Sequence, residues 1–276
     1  MPHHVQVQER LPGTLVKRQE GREGREGSLT GAIFYLHGFA SSARSTKAGY
    51  FAERLQDHGV VLGCPDFNEP EFATMTMTRM LGQLEQAMAG IGKPVTLIGS
   101  SLGGTLAVIA ASRFGAKDQK YRRIGLPVKV EDSPGVTVAR LVLLAPAVMF
   151  AKPGHHLLPA ERVETWRERR ALPFYHHGYS EERLLDFSFY EDSLTHDAFH
   201  ALFDQPTLIF QGTRDNSVDY HTVETFAKNR PNVALTLLDD DHQLIASLPK
   251  IWQEVEAFLG LRETRARGTA GEGCVE

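Results

Sequence analysis

Cysteine is nearly absent. The chain of 276 residues has two, Cys64 and Cys274. They lie far apart and lack metal-ligand spacing, so they read as an apolar filler near a strand end and a tail thiol. No apolar run approaches the roughly 20 residues that span a bilayer, so no membrane span is expected. Met1-Pro2-His3-His4-Val5 lacks the basic and then apolar stretches of a secretory signal. The cytoplasm is therefore the default compartment. An excess of positive charge is missing too. The formal net charge is -4, whereas a nucleic-acid binder usually shows a basic stripe, so no nucleic-acid partner is expected. What remains is 42% hydrophobic and 23% charged, ordinary for a soluble globular protein, and the length suits one large α/β domain or, as the alternative, two small ones.

Residues 1–30 are set apart as an N-terminal extension. His4 to Gln8 and Leu15 to Lys17 alternate in polarity and are expected to pair as a hairpin. The glycine-charge repeat from Gln19 to Gly27 cannot bury enough apolar surface to offset its ordering entropy, and reads as a mobile loop. From Gly31 the pattern changes. Ala32 to Leu36 is an almost unbroken apolar run, as in a strand buried on both faces. Strands are also read at Val60 to Leu62, Val95 to Ile98, Leu141 to Leu144, Thr207 to Phe210 and Ala234 to Leu237. Helical spacing marks Thr46 to Asp57, Thr74 to Ala89, Leu102 to Phe114, Tyr220 to Lys228 and Ile245 to Leu259. This alternation predicts an α/β fold with a mostly parallel central sheet flanked by helices. Lys117 to Val138 is polar and reads as a surface excursion. The aromatic-rich stretch from Phe150 to Asp204 separates the fourth and fifth strands and reads as a cap or lid insertion, with helices expected at Glu161 to Arg170 and Ser180 to Asp186. The main domain spans residues 31–260, with the cap at about 150–204 and a frayed tail at 261–276.

Gly99-Ser100-Ser101-Leu102-Gly103 matches G-x-S-x-G in the context that motif needs. A strand leads straight in and a helix straight out, through a turn so tight that the flanking residues must be almost side-chain free. Ser101 would project above the carboxyl edge of the sheet at the positive end of a helix. A serine hydroxyl is a poor nucleophile and needs a base held by a third group. Where G-x-S-x-G stands between strand and helix, the chain order is serine, acid, histidine. Asp215, in the loop after Thr207 to Phe210, is the candidate acid, with Asp219 as the alternative. His242, between the last strand and the last helix, is the candidate base. Asp241 beside it is poorly placed to orient the imidazole. Acyl transfer also needs preset N–H donors for a developing oxyanion. The expected pair is the backbone amides of Leu102 and of Phe39, the latter in the His37-Gly38-Phe39 turn after the first strand. His37 is read as a brace for that loop.

The insertion holds His155, His156, His176, His177, His196 and His200. None shows H-E-x-x-H or cysteine-paired spacing, so no metal or cofactor is expected. Met149, Phe150, Trp166, Phe174, Tyr175, Phe187, Phe189 and Tyr190 read chiefly as lid core, with some lining an apolar acyl pocket.

Tyr35-Leu36-His37-Gly38-Phe39, Ser41 to Ala48, Pro65-Asp66-Phe67, the elbow at Gly99 to Gly104 and Gly212-Thr213-Arg214-Asp215 resemble the small bacterial esterases of the YqiA type, within the α/β-hydrolase superfamily. The superfamily resemblance covers about Gly31 to Leu259; the narrower one rests mainly on the first third. It implies the α/β-hydrolase fold and a cofactor-free carboxylic ester hydrolase acting on a small-molecule ester. The long insertion, N-terminal extension and tail depart from the small type. The alternatives on the same fold are a thioesterase, acyltransferase, peptidase or carbon-carbon bond hydrolase. A metallohydrolase using the lid histidines and a non-catalytic binding module stand further off. No residue pattern specifies an oligomeric state.

Overall fold

A computed structural model describes residues 31–114, 136–150 and 159–262 of the chain. The expected N-terminal hairpin, the glycine-charge loop, nearly all of the Lys117 to Val138 excursion and the tail beyond residue 262 lie outside these residues.

Six parallel strands form the central sheet. They are β1 (Ala32–Leu36), β2 (Leu62–Gly63), β3 (Val95–Ser100), β4 (Val138–Leu144), β7 (Thr207–Gly212) and β8 (Val233–Leu238), in the order β2-β1-β3-β4-β7-β8. Alternate side chains go to opposite faces, and each face is covered. Ile33, Tyr35, Ile98, Val142 and Phe210 pack against α1 (Thr46–Gln56) and α7 (Leu248–Phe258). Phe34, Leu36, Leu97, Leu141, Leu143 and Ile209 pack against α2 (Met77–Met88), α3 (Leu102–Phe114) and α6 (Tyr220–Lys228). Burial on both faces is why these strands read as apolar runs rather than as alternation.

Local signals set the helix ends. Ser45 caps α1 by accepting from the Ala48 amide, and Thr76 caps α2 by accepting from that of Arg79. On α2, Met77, Met80, Leu81, Leu84 and Met88 form the buried stripe. α3 is buried from Leu102 through Ala111 and is the central helix of its layer.

Strand order reverses beside β1: β2 lies on one side of it and β3 on the other. At such a switch the loops leaving the two central strands diverge to opposite faces and open a crevice at the carboxyl edge. The loop after β1 begins at His37 and the turn after β3 is Ser101, so both motifs singled out in the sequence stand at that crevice.

Between β4 and β7, the described part of the insertion holds α4 (Ala160–Arg169), β5 (Ala171–His176), β6 (Glu181–Asp186) and α5 (Ser188–Ser193). Strands β5 and β6 pair antiparallel as a hairpin. This corrects the expectation of a helix at Ser180 to Asp186. Seven residues cannot distinguish the two periods, and pairing with β5 supplies the backbone hydrogen bonds that decide for the strand. Trp166 is fully buried beneath the hairpin and donates from Nε1 to the Leu185 carbonyl at 2.8 Å. Phe150, Phe174, Phe187, Phe189 and Tyr190 are buried with it. Tyr175 is not lid core: it points outward and is 53% exposed.

Candidate active site

Ser101 occupies a tight turn between β3 and α3. Its φ is +54°, in the left-handed region, which costs a non-glycine residue about 1–2 kcal/mol. The flanking glycines are fixed by sterics. A Cβ on Gly99 would lie 2.4 Å from the Gly103 carbonyl oxygen, and one on Gly103 would lie 2.0 Å from that of Leu36. The turn is pinned on both sides: the Ser101 amide donates to the Leu144 carbonyl at 2.9 Å, and its carbonyl accepts from the Ala147 amide at 3.1 Å.

Asp215 and His242 reach the same point from β7 and β8. His242 Nε2 lies 3.1 Å from Ser101 Oγ, and its Nδ1 lies 2.8 Å from Asp215 Oδ2. The three residues, 141 and 27 positions apart along the chain, converge because strand register aligns the carboxyl ends. Ser100 pairs with Leu144, Leu144 with Phe210, and Gly212 with Leu238.

The Asp215 side chain is fully buried, and every position around its oxygens is used. Oδ1 accepts from the Ser217 and Val218 amides, each at 2.8 Å. Oδ2 accepts from Gln211 Nε2 at 2.9 Å as well as facing His242. Burial alone would raise this carboxyl. The hydrogen bond and charge of His242, with the two amides, outweigh it and hold the group below the usual aspartate value. Lys47, at the start of α1, is only 7% exposed, and burial pushes its ammonium down to about 8 against the opposing pull of Asp215, Asp241 and Asp240.

The neighbouring carboxylates have other work. Asp219 caps α6, accepting from the His221 and Thr222 amides. Asp240 accepts from Ser247 N, and Asp241 accepts from Gln243 N. The Gly38 turn lies directly against Ser101: a Cβ there would sit 3.3 Å from Ser101 Cβ. His37 is buried, and its Nε2 accepts from the Phe67 amide at 3.0 Å, tying this turn to the segment after β2. Neither the Phe39 nor the Leu102 amide donates to another described residue.

Sequence reasoning missed Gln211. Its signal was present, as a polar side chain closing the apolar run Leu208-Ile209-Phe210. It also missed Asn68, whose partners come from remote segments. Among the described residues, no three histidine, cysteine or acidic side chains converge as a metal site. His176 faces Asn68, His196 faces Thr78 and Arg113, and His200 faces Asp197. Residues 155 and 156 lie outside the described part. A small surface cleft of about 70 Å³, lined by Met77, Thr105, Met149, Phe150, Leu194 and His196 among others, flanks the insertion.

The parallel sheet, its switch point and the strand–Ser–helix elbow define the α/β-hydrolase fold, and the chain has that fold. Residues 32–119 match an uncharacterised protein family, UPF0227. Solved structures agree over most of the chain. A protein of Agrobacterium vitis S4 is 22% identical, covering 84% of this chain and 90% of its own, with a TM-score of 0.68. Est1E from Butyrivibrio proteoclasticus, solved with ferulic acid bound, is 19% identical over 86% of this chain and 90% of its own, TM-score 0.63. A monoacylglycerol lipase of Paleococcus ferrophilus is 12% identical over 83% and 96%, TM-score 0.60. No curated protein matches the chain. Among the described residues, no helix is long and apolar enough to cross a membrane.

Proposed function

We propose that this protein is a serine hydrolase that cleaves small carboxylic esters through an acyl-enzyme. The observation that carries the reading is the hydrogen-bonded line from Asp215 through His242 to Ser101, with contacts of 2.8 and 3.1 Å at one edge of the sheet. The fold's neighbours include a lipase, which fits an ester substrate.

In this scheme His242 Nε2 takes the Ser101 proton as Oγ bonds to the ester carbonyl carbon. The resulting oxyanion is held by the Phe39 and Leu102 amides, neither of which donates to another described residue. The tetrahedral adduct collapses, the C–O bond to the alcohol breaks, and the imidazolium returns its proton to that oxygen. Water, deprotonated by His242, then attacks the acyl carbon, and the carboxylic acid leaves as Ser101 regains its proton. Asp215 keeps the imidazole in the tautomer with hydrogen on Nδ1, so that Nε2 is free to accept.

The test is hydrolysis of p-nitrophenyl esters of increasing chain length, with acyl-CoA and peptide controls. Wild type should turn over the esters, and Ser101→Ala should lose about 10³-fold or more in kcat. A fluorophosphonate should label wild type at Ser101 alone. Turnover unchanged in Ser101→Ala ends the proposal, and turnover of acyl-CoA or peptide in place of the esters reassigns the substrate class.

A further inference from the structure

The loop that carries Phe39 is not self-supporting. Ala40, the next residue, sits at a φ of +49°. A non-glycine residue stays there only where its surroundings over-determine it. The surroundings in question come from the insertion. The tip of the β5–β6 hairpin lies on this loop: the His177 amide donates to the Ala40 carbonyl at 2.8 Å. The carbonyl of the following residue, Ser41, accepts from Asn68 Nδ2 at 2.8 Å. Asn68 is itself held by the hairpin, because its Oδ1 lies 3.0 Å from His176 Nε2.

His176 is completely buried at the end of β5, stacked on Tyr179 at 4.2 Å and edge-on to Phe72 at 4.8 Å. Burial lowers its pKa to about 4, so at neutral pH the ring is uncharged and carries one hydrogen. Asn68 Oδ1 is an acceptor, which places that hydrogen on Nε2. Approach is close enough to require glycine at the tip: a Cβ on Gly178 would lie 2.9 Å from Ser42 Cβ. One residue further down the same face, Phe174 packs edge-on against the Phe39 ring at 5.3 Å. Phe72, Phe150 and Phe189 complete the shell around that ring at 5.6 to 6.0 Å.

We propose that the β5–β6 hairpin is the mould for the oxyanion site: the His177 amide holds the Ala40 carbonyl, and His176 and Asn68 are positioning residues that act through the Ser41 carbonyl, so that together they set the Phe39 amide. The inference rests on the serine hydrolase reading above. It assigns the insertion a part in the chemical step. Neither residue touches substrate.

The experiment measures p-nitrophenyl acetate turnover and the rate of Ser101 phosphonylation by a fluorophosphonate, in His176→Leu, His176→Gln and Gly178→Ala. Losing one oxyanion donor costs about 10²–10³ in kcat, and displacing one should cost roughly 10- to 100-fold. In His176→Leu we expect kcat to fall by that factor with KM within about twofold, and phosphonylation to slow in parallel. His176→Gln restores a donor toward Asn68 Oδ1 and should recover most of the loss. Gly178→Ala changes no polar atom but lifts the tip from Ser42, and should lower kcat in the same sense. Unchanged kcat and labelling in His176→Leu and Gly178→Ala overturn the proposal, as does a His176→Leu defect that glutamine does not recover. If His176→Leu does not fold, Gly178→Ala decides by itself. Failure of the underlying reading is separate, because it shows as turnover surviving Ser101→Ala.

Discussion

Replacing Asp215 by asparagine tests the whole proposed line of proton transfer with a change of one atom. Four donors surround the native carboxylate: the Ser217 and Val218 amides on Oδ1, and Gln211 Nε2 and His242 Nδ1 on Oδ2. An asparagine NH2 at the Oδ1 position would point at two backbone N–H groups that cannot turn away. Its favoured placement is therefore at Oδ2, where it displaces one mobile donor, Gln211, and faces His242. The imidazole must then accept at Nδ1 and carry its hydrogen on Nε2, so it has no lone pair for the Ser101 proton. The same amide substitution in a serine triad lowers kcat about 10⁴-fold by this tautomer error. At 1.36 kcal/mol per tenfold, that is roughly 5 kcal/mol of barrier. Steady-state hydrolysis of p-nitrophenyl acetate reads it directly, with circular dichroism showing that the fold persists. A fall in kcat of less than about tenfold in a folded Asp215→Asn protein would refute the role given to this carboxylate.

Acid stability should respond to the same residue. Asp215 is depressed in the fold, so its stabilising contribution is complete above the ordinary aspartate value and is lost as pH falls through the lower folded one; Asp215→Asn should flatten the acid limb of a Tm-against-pH curve. Lys47 acts at the other end. Its folded pKa of about 8 lies below the unfolded 10.5, so the unfolded chain binds more protons between these values and stability rises with pH across that window; Lys47→Met should abolish the rise, and a denaturant titration at pH 8 and pH 10 checks it. Gly103→Ala places a Cβ 2.0 Å from the Leu36 carbonyl oxygen and should cost about 3 kcal/mol in urea unfolding. Gly49→Ala and Gly82→Ala, inside α1 and α2 with nothing within 4 Å of the new Cβ, should each gain roughly 0.5–1 kcal/mol in the same assay.

The parallel sheet was legible because its strands are buried on both faces. Ala32 to Leu36 and Val95 to Ile98 carry no polar stripe that admits another reading. The elbow was legible because sterics leave few residue choices around Ser101, and the strand order then placed Asp215 and His242. The support of the site was less legible. Asn68 joins Ser41, 27 positions away, to His176, 108 positions away, and no local period encodes such a pairing. The β5–β6 hairpin was hidden for a related reason. Glu181 to Asp186 has four exposed residues in a row, so neither a two-fold nor a 3.6-fold stripe appears. At the sheet edge, Val60 to Leu62 looked like a full strand, but β2 is only Leu62–Gly63 and Val61 is 79% exposed.

Backbone strain in this protein gathers at the carboxyl edge of the sheet. Among the described residues, six non-glycine positions have positive φ, and four of them, Ala40, Ser101, Ala145 and Leu244, follow β1, β3, β4 and β8 on the carboxyl side of the sheet. A strained residue persists only where neighbouring bonds leave it no alternative. The parallel ladder supplies those bonds by running past the ends of the strands: Ser101 N donates to Leu144, and Ala145 N to Phe210 at 2.8 Å. The Ala145 turn thus props the turn that holds Ser101, and β7, which ends toward Asp215, props Ala145. Ala40 stands at the end of that row, next to the Gly38 turn, and takes its support from the His177 amide of the insertion instead. Its dependence on the insertion is a physical reason to expect that changes in the hairpin alter catalysis at Ser101 before they alter the stability of the sheet.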